Sequence, residues 1–381
     1  MTQTAAPPRV QELDVMRGFA LGGILVANIG YLADPAHMMA GVTAVHAPGG
    51  PVEFAVTALV LTKFYVIFSF LFGYSFTLQL RAAERAGASV RARTVRRCLA
   101  LFVIGVLHGL LFWAGDILTL YALLGLVLLG LRGLRPRTAV VTGCAIVGVV
   151  ALLMLALAGL TAPAPESAQL APDPAAGERA LDLVTGGALG YLTFQAENYP
   201  GYAAGIWAFQ GPVALAMFLF GLAAGKSRLL EDPERYTRLL PRVQGIGFGA
   251  GLPAAVLFAW TYGGPDAAFL AGTALNTVAS VPLAAAYVAT LLRVSRRLPA
   301  VGRALAPAGR AAASNYLGQS VLLCLVFTGY GLALAGSLPP PAVMGVAAVI
   351  YAVLLRLSAV WLRTHRYGPV EYVLRWVTNG R

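Results

Sequence analysis

The chain has 381 residues, 58% of them hydrophobic and only 12% charged, and its mean hydropathy is +0.74. A water-soluble domain with so little charge would precipitate, which excludes the ordinary soluble classes. The net charge of +12 does not point to nucleic acid, because the excess basic residues sit in short loops between apolar runs.

A helix that spans a bilayer needs ~20 mostly apolar residues at ~1.5 Å rise each. The hydropathy pattern supplies ten such runs, at 15–33, 62–80, 97–114, 117–133, 138–161, 204–225, 243–263, 267–292, 308–336 and 342–362. The expectation is an all-α, polytopic membrane helical bundle of about ten transmembrane helices. It forms one domain, 1–381, with N-terminal helices over 15–161, a loop over 162–203 and a C-terminal block over 204–381. The first run lacks a small-residue cleavage site behind it and reads as a retained helix. The stretch 51–61 reads as a short re-entrant or interfacial helix. Residues 178–194, apolar at roughly helical spacing, fit an amphipathic cap or an ordinary loop equally well.

Orientation follows from the basic loops. Arg81, Arg85, Arg91, Arg93, Arg96 and Arg97 follow the second run, Arg132, Arg135 and Arg137 the fourth, Lys226, Arg228, Arg235, Arg238 and Arg242 the sixth, and Arg293, Arg296, Arg297 and Arg303 the eighth. The intervening loops carry only Arg179. Positive side chains are retained in the cytoplasm, so both termini are expected there. Cys98, Cys144 and Cys324 fall inside apolar runs without metal-site or disulfide spacing; packing is their expected role, and no metal is expected.

Polar residues inside spans are costly and face a cavity or a partner, so they carry the functional argument. Asp14 and Arg17, three apart, share a helix face. Asn28 returns to within ~20° of that face, ~16 Å further along. Gly18, Ala20, Gly22, Gly23 and Ala27 let a helix or an extended ligand approach the same backbone. The third and fourth runs form a hairpin with Arg96 and Arg97 at one end, His108 halfway, Trp113 and Asp116 at the outer turn and Tyr121 beyond it. A midplane histidine suits proton transfer, although a lone helical histidine is more often a packing or hydrogen-bonding residue than a catalyst. Asp116 lies eight residues from His108, out of reach along a straight helix. Lys63 either snorkels from the outer end of the second run or pairs with Asp116 across an outer cavity. Asn315 and Gln319, an i,i+4 pair, either bond neighbouring helices or line a central cavity.

These residues carry a resemblance. Leu13-Asp14, Arg17-Gly18 and Asn28-Ile29, then Phe68 to Gly73, Leu107-His108 and Gly115-Asp116 with Tyr121 and Gly125, resemble the YeiB-like family of uncharacterised bacterial membrane proteins. Ala308-Gly309-Arg310, Ser314-Asn315-Tyr316, Gln319-Ser320 and Tyr367-Gly368-Pro369 with Glu371 resemble that family's second homology block. The first-helix pattern is also similar to that of the wider transmembrane acyltransferases, including heparan-α-glucosaminide N-acetyltransferase. There Arg17 matches the helix-one arginine and Asn28 the asparagine of the glucosaminide enzyme, where acyltransferase-three proteins have a histidine. His37 is offset by two residues from the glucosaminide enzyme's histidine and is the reserve base.

The resemblance implies an acyltransferase that moves an acyl group from cytoplasmic acyl-CoA, foremost acetyl-CoA, to an outer hydroxyl or amine. Arg17, Arg96 and Arg97 would hold the donor's phosphates, with Asn315 and Gln319 along its path. His108 would be the base, Asn28 or Asn315 an oxyanion donor, and Asp116, Lys63, Trp113 and Tyr121 would shape the acceptor mouth. The partners implied are the lipid bilayer, acyl-CoA and an unidentified glycan, lipid or small-molecule acceptor. A homodimer is left open. The competing expectation is a small-molecule transporter or exporter, which broken helices would favour.

Overall fold

The computed structural model describes residues 11–39, 50–162 and 174–380. Every regular element among them is helical. That is what apolar runs of this length require, since in hydrocarbon each backbone N–H and C=O must be satisfied within its own segment.

In chain order, α1 (Gln11–Ala33) leads through the short α2 (Pro35–Met39) and α3 (Pro51–Leu59) to α4 (Lys63–Arg85). Thr62, at φ 74°, breaks α3 from α4 although the apolar sequence runs on. Ser89 caps α5 (Val90–Leu111), its Oγ accepting the Ala92 N–H at 3.2 Å. A buried turn leads to α6 (Leu118–Gly130), then α7 (Pro136–Thr161). The segment expected as cap or loop contributes α8 (Pro174–Thr185) and α9 (Ala188–Gly205). A π-turn over Ile206–Gln210 carries α9 into α10 (Gly211–Lys226). The rest is α11 (Pro233–Thr261), α12 (Asp266–Arg297), α13 (Pro299–Arg310), α14 (Ala312–Phe327), α15 (Pro340–Thr364) and α16 (Pro369–Asn379).

Eight stretches are long and apolar enough to cross a bilayer, making this a multi-pass membrane protein. The remaining two expected spans come out short, as the apolar helices Leu118–Gly133 and Ala312–Phe327. At ~1.5 Å per residue neither covers a ~30 Å hydrocarbon core. The run expected as one span at 308–336 is cut twice: Ala311 leaves helical geometry (φ −108°, ψ 42°), and Thr328 is extended.

The two sets of loops are joined at opposite ends of the bundle. At the basic end Arg81 grips Glu231 through both guanidinium nitrogens (3.1 and 2.6 Å), Lys226 donates to the carbonyls of Arg132 and Leu134, and Tyr236 bonds Glu12 and Arg296. At the other end Gly336 donates to the Ala33 carbonyl, Gly329 to that of Val184, and Tyr191 to that of Phe112. The first and last described helices, α1 and α16, therefore begin and end near the basic end.

The small residues of α1 do admit a helix. A Cβ on Gly18 would strike the Leu305 main chain of α13, and one on Gly309 the Asp14 main chain. Gly22 and Gly23 instead seat the rings of Tyr351 and Phe64. Cys98 and Cys324 are buried free thiols, as packing requires, whereas Cys144 is exposed on α7 beside the outward-facing Val141.

Glu371 of α16 holds the start of α14: its carboxylate accepts the Ala313 N–H (2.6 Å), the Ser314 N–H (3.3 Å) and the Ser314 hydroxyl (2.6 Å). A carboxylate at a helix N-terminus stabilises both the orphan donors and the dipole. Glu371→Ala should cost about 1–2 kcal/mol, measured as a fall in unfolding midpoint in detergent; an unchanged midpoint would deny Glu371 that role.

Candidate functional site

Two cavities lie end to end inside the bundle. The larger, about 770 Å³, opens at the basic end and falls within the ~300–1,000 Å³ range usual for ligand sites. Six arginines line it, Arg17, Arg81, Arg85, Arg97, Arg310 and Arg375, against the acids Glu12, Asp14, Glu231 and Glu371. Part of this charge is already used: Arg17 pairs with Asp14 at 2.9 Å and donates to Ser75, Arg81 pairs with Glu231, and Glu371 caps α14. The Nε atoms of Arg97 and Arg310 are buried and have no hydrogen-bond partner among the described residues. Buried donors without acceptors are costly, and both belong to arginines of this cavity's wall.

The smaller cavity, about 240 Å³, lies toward the other end. Its polar lining is uncharged: the amides of Asn28, Gln210 and Asn276, the hydroxyls of Thr62, Thr273, Thr277 and Ser280, and tyrosines that include Tyr31 and Tyr65. Phe68, Tyr121 and Tyr316 line both cavities and so form the wall between them. Packing stiffens that wall. Tyr121 stacks with Phe68, packs edge-on against Phe72 and Phe218, and shares a 2.6 Å hydrogen bond with Ser69. The Tyr316 hydroxyl accepts the Ile117 N–H at 3.3 Å, which leaves its own proton to donate.

Behind Tyr316 lies a buried relay. His108 Nδ1 is 2.9 Å from Asp116 Oδ1, and His108 Nε2 is 2.8 Å from Ser320 Oγ. Asp116 Oδ2 accepts the Thr119 N–H at 2.8 Å, fixing the carboxylate at the start of α6. The straight-helix argument against a His108–Asp116 contact fails because α5 ends at Leu111 and the turn folds Asp116 back onto its face. Gly105 allows this: a Cβ there would meet Asp116 Oδ2 and the Thr119 backbone. The turn is not an outer mouth either, since Trp113, Ala114 and Asp116 are all buried, with α9 held over it through Tyr191.

Of the residues singled out in the sequence, Arg17 and Arg97 line the large cavity, Asn28 the small one and Tyr121 both. Arg96 is exposed and lines neither. His108 and Asp116 line neither, although the His108 ring packs on Tyr316 with centroids 5.1 Å apart. Trp113 packs against Tyr31 instead of facing a cavity. Asn315 ties the α13–α14 break to α15, donating to the carbonyls of Ala308 and Ala311 and to Ser358, and Gln319 donates to the Leu21 carbonyl of α1. Both amides serve as helix ties. Lys63 neither snorkels nor reaches Asp116: it is fully buried and donates to Asn276 Oδ1 at 2.9 Å. The side chain of His37 lies outside the described residues. The sequence singles out neither Arg310 and Arg375 as cavity residues nor Ser320 as the relay's third member, whereas Phe68 and Tyr316, minority candidates for an acyl groove and a central cavity, do line the cavities. Arg310, Tyr316 and Ser320 all stand inside the C-terminal motif that carried the resemblance.

Residues 224–381 match the family described as "Protein of unknown function (DUF418)". Over 98% of its length the chain is 30% identical to the uncharacterised protein YxaH of Bacillus subtilis, of which 95% is covered. Over 96% it is 28% identical to the uncharacterised protein YeiB of Escherichia coli, again with 95% covered. An uncharacterised 39.9 kDa protein of Bacillus acidopullulyticus is 28% identical over the whole chain and 97% of its own length. The chain therefore belongs to the YeiB-like family, and its residues 224–381 carry the DUF418 match.

Proposed function

We propose that this protein is an acyltransferase of the bacterial cytoplasmic membrane. It would take acyl-CoA from the cytoplasm and acylate a hydroxyl or amine presented from the opposite side. The observation that carries this reading is the pair of cavities with a common wall: one rich in arginine at the basic end, the other lined by amides and hydroxyls. Basic loops are retained in the cytoplasm, where acyl-CoA is found. The polyanionic nucleotide end of the donor suits guanidinium donors such as those of Arg97 and Arg310, and the thioester would reach the wall formed by Phe68, Tyr121 and Tyr316.

In the transfer step the acceptor oxygen or nitrogen attacks the thioester carbonyl carbon. The C–S bond breaks, and the acceptor's proton ends on the departing CoA sulfur. Tyr316 is positioned to donate its free hydroxyl hydrogen to the carbonyl oxygen as charge develops there, with Asn28 on the acceptor side. His108, held away from both cavities, orders Tyr316 from behind and does not touch the acceptor. The wall excludes water and so suppresses thioester hydrolysis.

Acetyl-CoA and longer acyl-CoAs should bind saturably to the purified protein. Arg17→Ala or Arg310→Ala should weaken that binding about tenfold or more, the usual worth of a charge-assisted hydrogen bond. Absence of acyl-CoA binding by the wild type would end the reading.

A transporter is the second reading, and a specific observation favours it: the large cavity is lined by a helix interruption and the small one by a π-turn. Arg310, Ala312 and Ala313 flank the α13–α14 break in the large cavity, and Phe209 and Gln210 of the π-turn line the small one. Discontinuous helices at a central site are a feature of many transporters. Substrate flux into proteoliposomes without acyl transfer would select it.

A further inference from the structure

Lys63 has no place in the scheme above, and its surroundings are unusual for a lysine. It is fully buried at the start of α4. Its Nζ makes one hydrogen bond, to Asn276 Oδ1, and stands 5.4 Å from the centre of the Phe258 ring. No carboxylate pairs with it among the described residues. Asn276 passes the interaction on, its Nδ2 donating to Thr62 Oγ1 at 2.9 Å. Thr62 and Asn276 both line the small cavity, so the ammonium stands one side chain behind that wall. Thr62 is β-branched yet held at φ 74°, a conformation such residues rarely adopt, and this turn directs Lys63 inward instead of toward the membrane surface.

A fully buried lysine whose Nζ meets a single neutral acceptor and a ring lacks the counter-charge that its ammonium form demands in low-dielectric surroundings. No lining residue of the adjoining cavity is acidic. We infer that the small cavity binds a ligand bearing an anionic oxyacid group, a carboxylate or a phosphate, and that Lys63 is its counter-charge. Asn276, which accepts from Nζ and lines the cavity, is the side chain through which a ligand there would meet Lys63, and Asn28 and Gln210 line the same space. This rests on reading the small cavity as the acceptor site and adds the acceptor's charge class: an anionic small molecule or lipid headgroup.

The test needs no donor and no turnover. Purified wild type, Arg17→Ala, Lys63→Met and Lys63→Gln are titrated in uncharged detergent with sodium glycerol phosphate and with sodium acetate, against sodium chloride at equal ionic strength, and thermal midpoints are read. In a parallel arm the same proteins are compared in phosphatidylglycerol and phosphatidylcholine nanodiscs. The expected result is a saturable rise of several degrees in wild type and Arg17→Ala, absent from whichever neutral Lys63 variant folds. A response to the soluble anions identifies a free ligand, and one confined to phosphatidylglycerol a lipid headgroup; both support the assignment. No saturable response in either arm, an equal response in the Lys63 variants, or a response lost in Arg17→Ala but kept in the Lys63 variants would overturn it. Because acyl-CoA is absent, failure of acyl-CoA to bind would leave this result standing, and the two readings fail separately.

Discussion

Asp116→Ala should cost about 3–5 kcal/mol of folding stability, the usual consequence of removing one partner from a buried, hydrogen-bonded pair. The substitution strips acceptors from two buried donors at once, His108 Nδ1 and the Thr119 N–H, in a site with no access to water. The measurement is the unfolding midpoint of the purified protein in mild detergent. Asp116→Asn keeps one acceptor oxygen and should lie between wild type and alanine. A loss below about 1 kcal/mol for alanine would mean that the relay does not hold the α5–α6 turn. Replacing both partners, His108→Leu with Asp116→Leu, should recover much of the loss, because an apolar pair of similar volume avoids the orphaned charge. Activity of that double variant then reports whether the relay contributes anything beyond structure.

That the relay was hidden, while the bundle was plain, has a physical explanation. Apolar length and arginine placement act through the bilayer as solvent and need no tertiary detail, so the helix runs and the shared basic end were legible residue by residue. Depth was not legible. Hydropathy sums composition along the chain, and Leu118–Gly133 is as apolar as a span while being too short to be one. Eight residues along a straight helix would put His108 and Asp116 out of reach, whereas the chain turns after Leu111. Lys63 looked like a snorkelling residue because it begins an apolar run, and only the left-handed Thr62 turns it inward. Of the cavity arginines, Arg17 and Arg97 stood out by position within spans. Arg310 and Arg375 reach the same space only because α13 packs on α1 and α16 folds back to cap α14. Asn315 and Gln319 carry the same chemistry as ligand-binding amides; their use as helix ties is decided by which carbonyls lie opposite.

The common wall offers the sharpest separation between transfer and transport. Tyr316→Phe keeps the ring against His108 and the barrier between the cavities, and removes only the hydroxyl. If that hydroxyl stabilises the developing oxyanion, transfer should fall about 10²–10³-fold while acyl-CoA binding changes little, because the interaction is made in the transition state and not in the ground state. Tyr316→Ala removes the barrier as well, joining the two cavities, so water should reach the thioester and acyl-CoA hydrolysis should rise as transfer falls. Single-turnover transfer, equilibrium acyl-CoA binding and thiol release without acceptor separate these effects. A transporter would behave otherwise: Tyr316→Phe would leave chemistry with nothing to lose, and Tyr316→Ala would show uncoupled leak of substrate through proteoliposomes. Unchanged transfer in Tyr316→Phe would remove the hydroxyl from the mechanism, and with it the argument that the wall is a reaction site as well as a barrier.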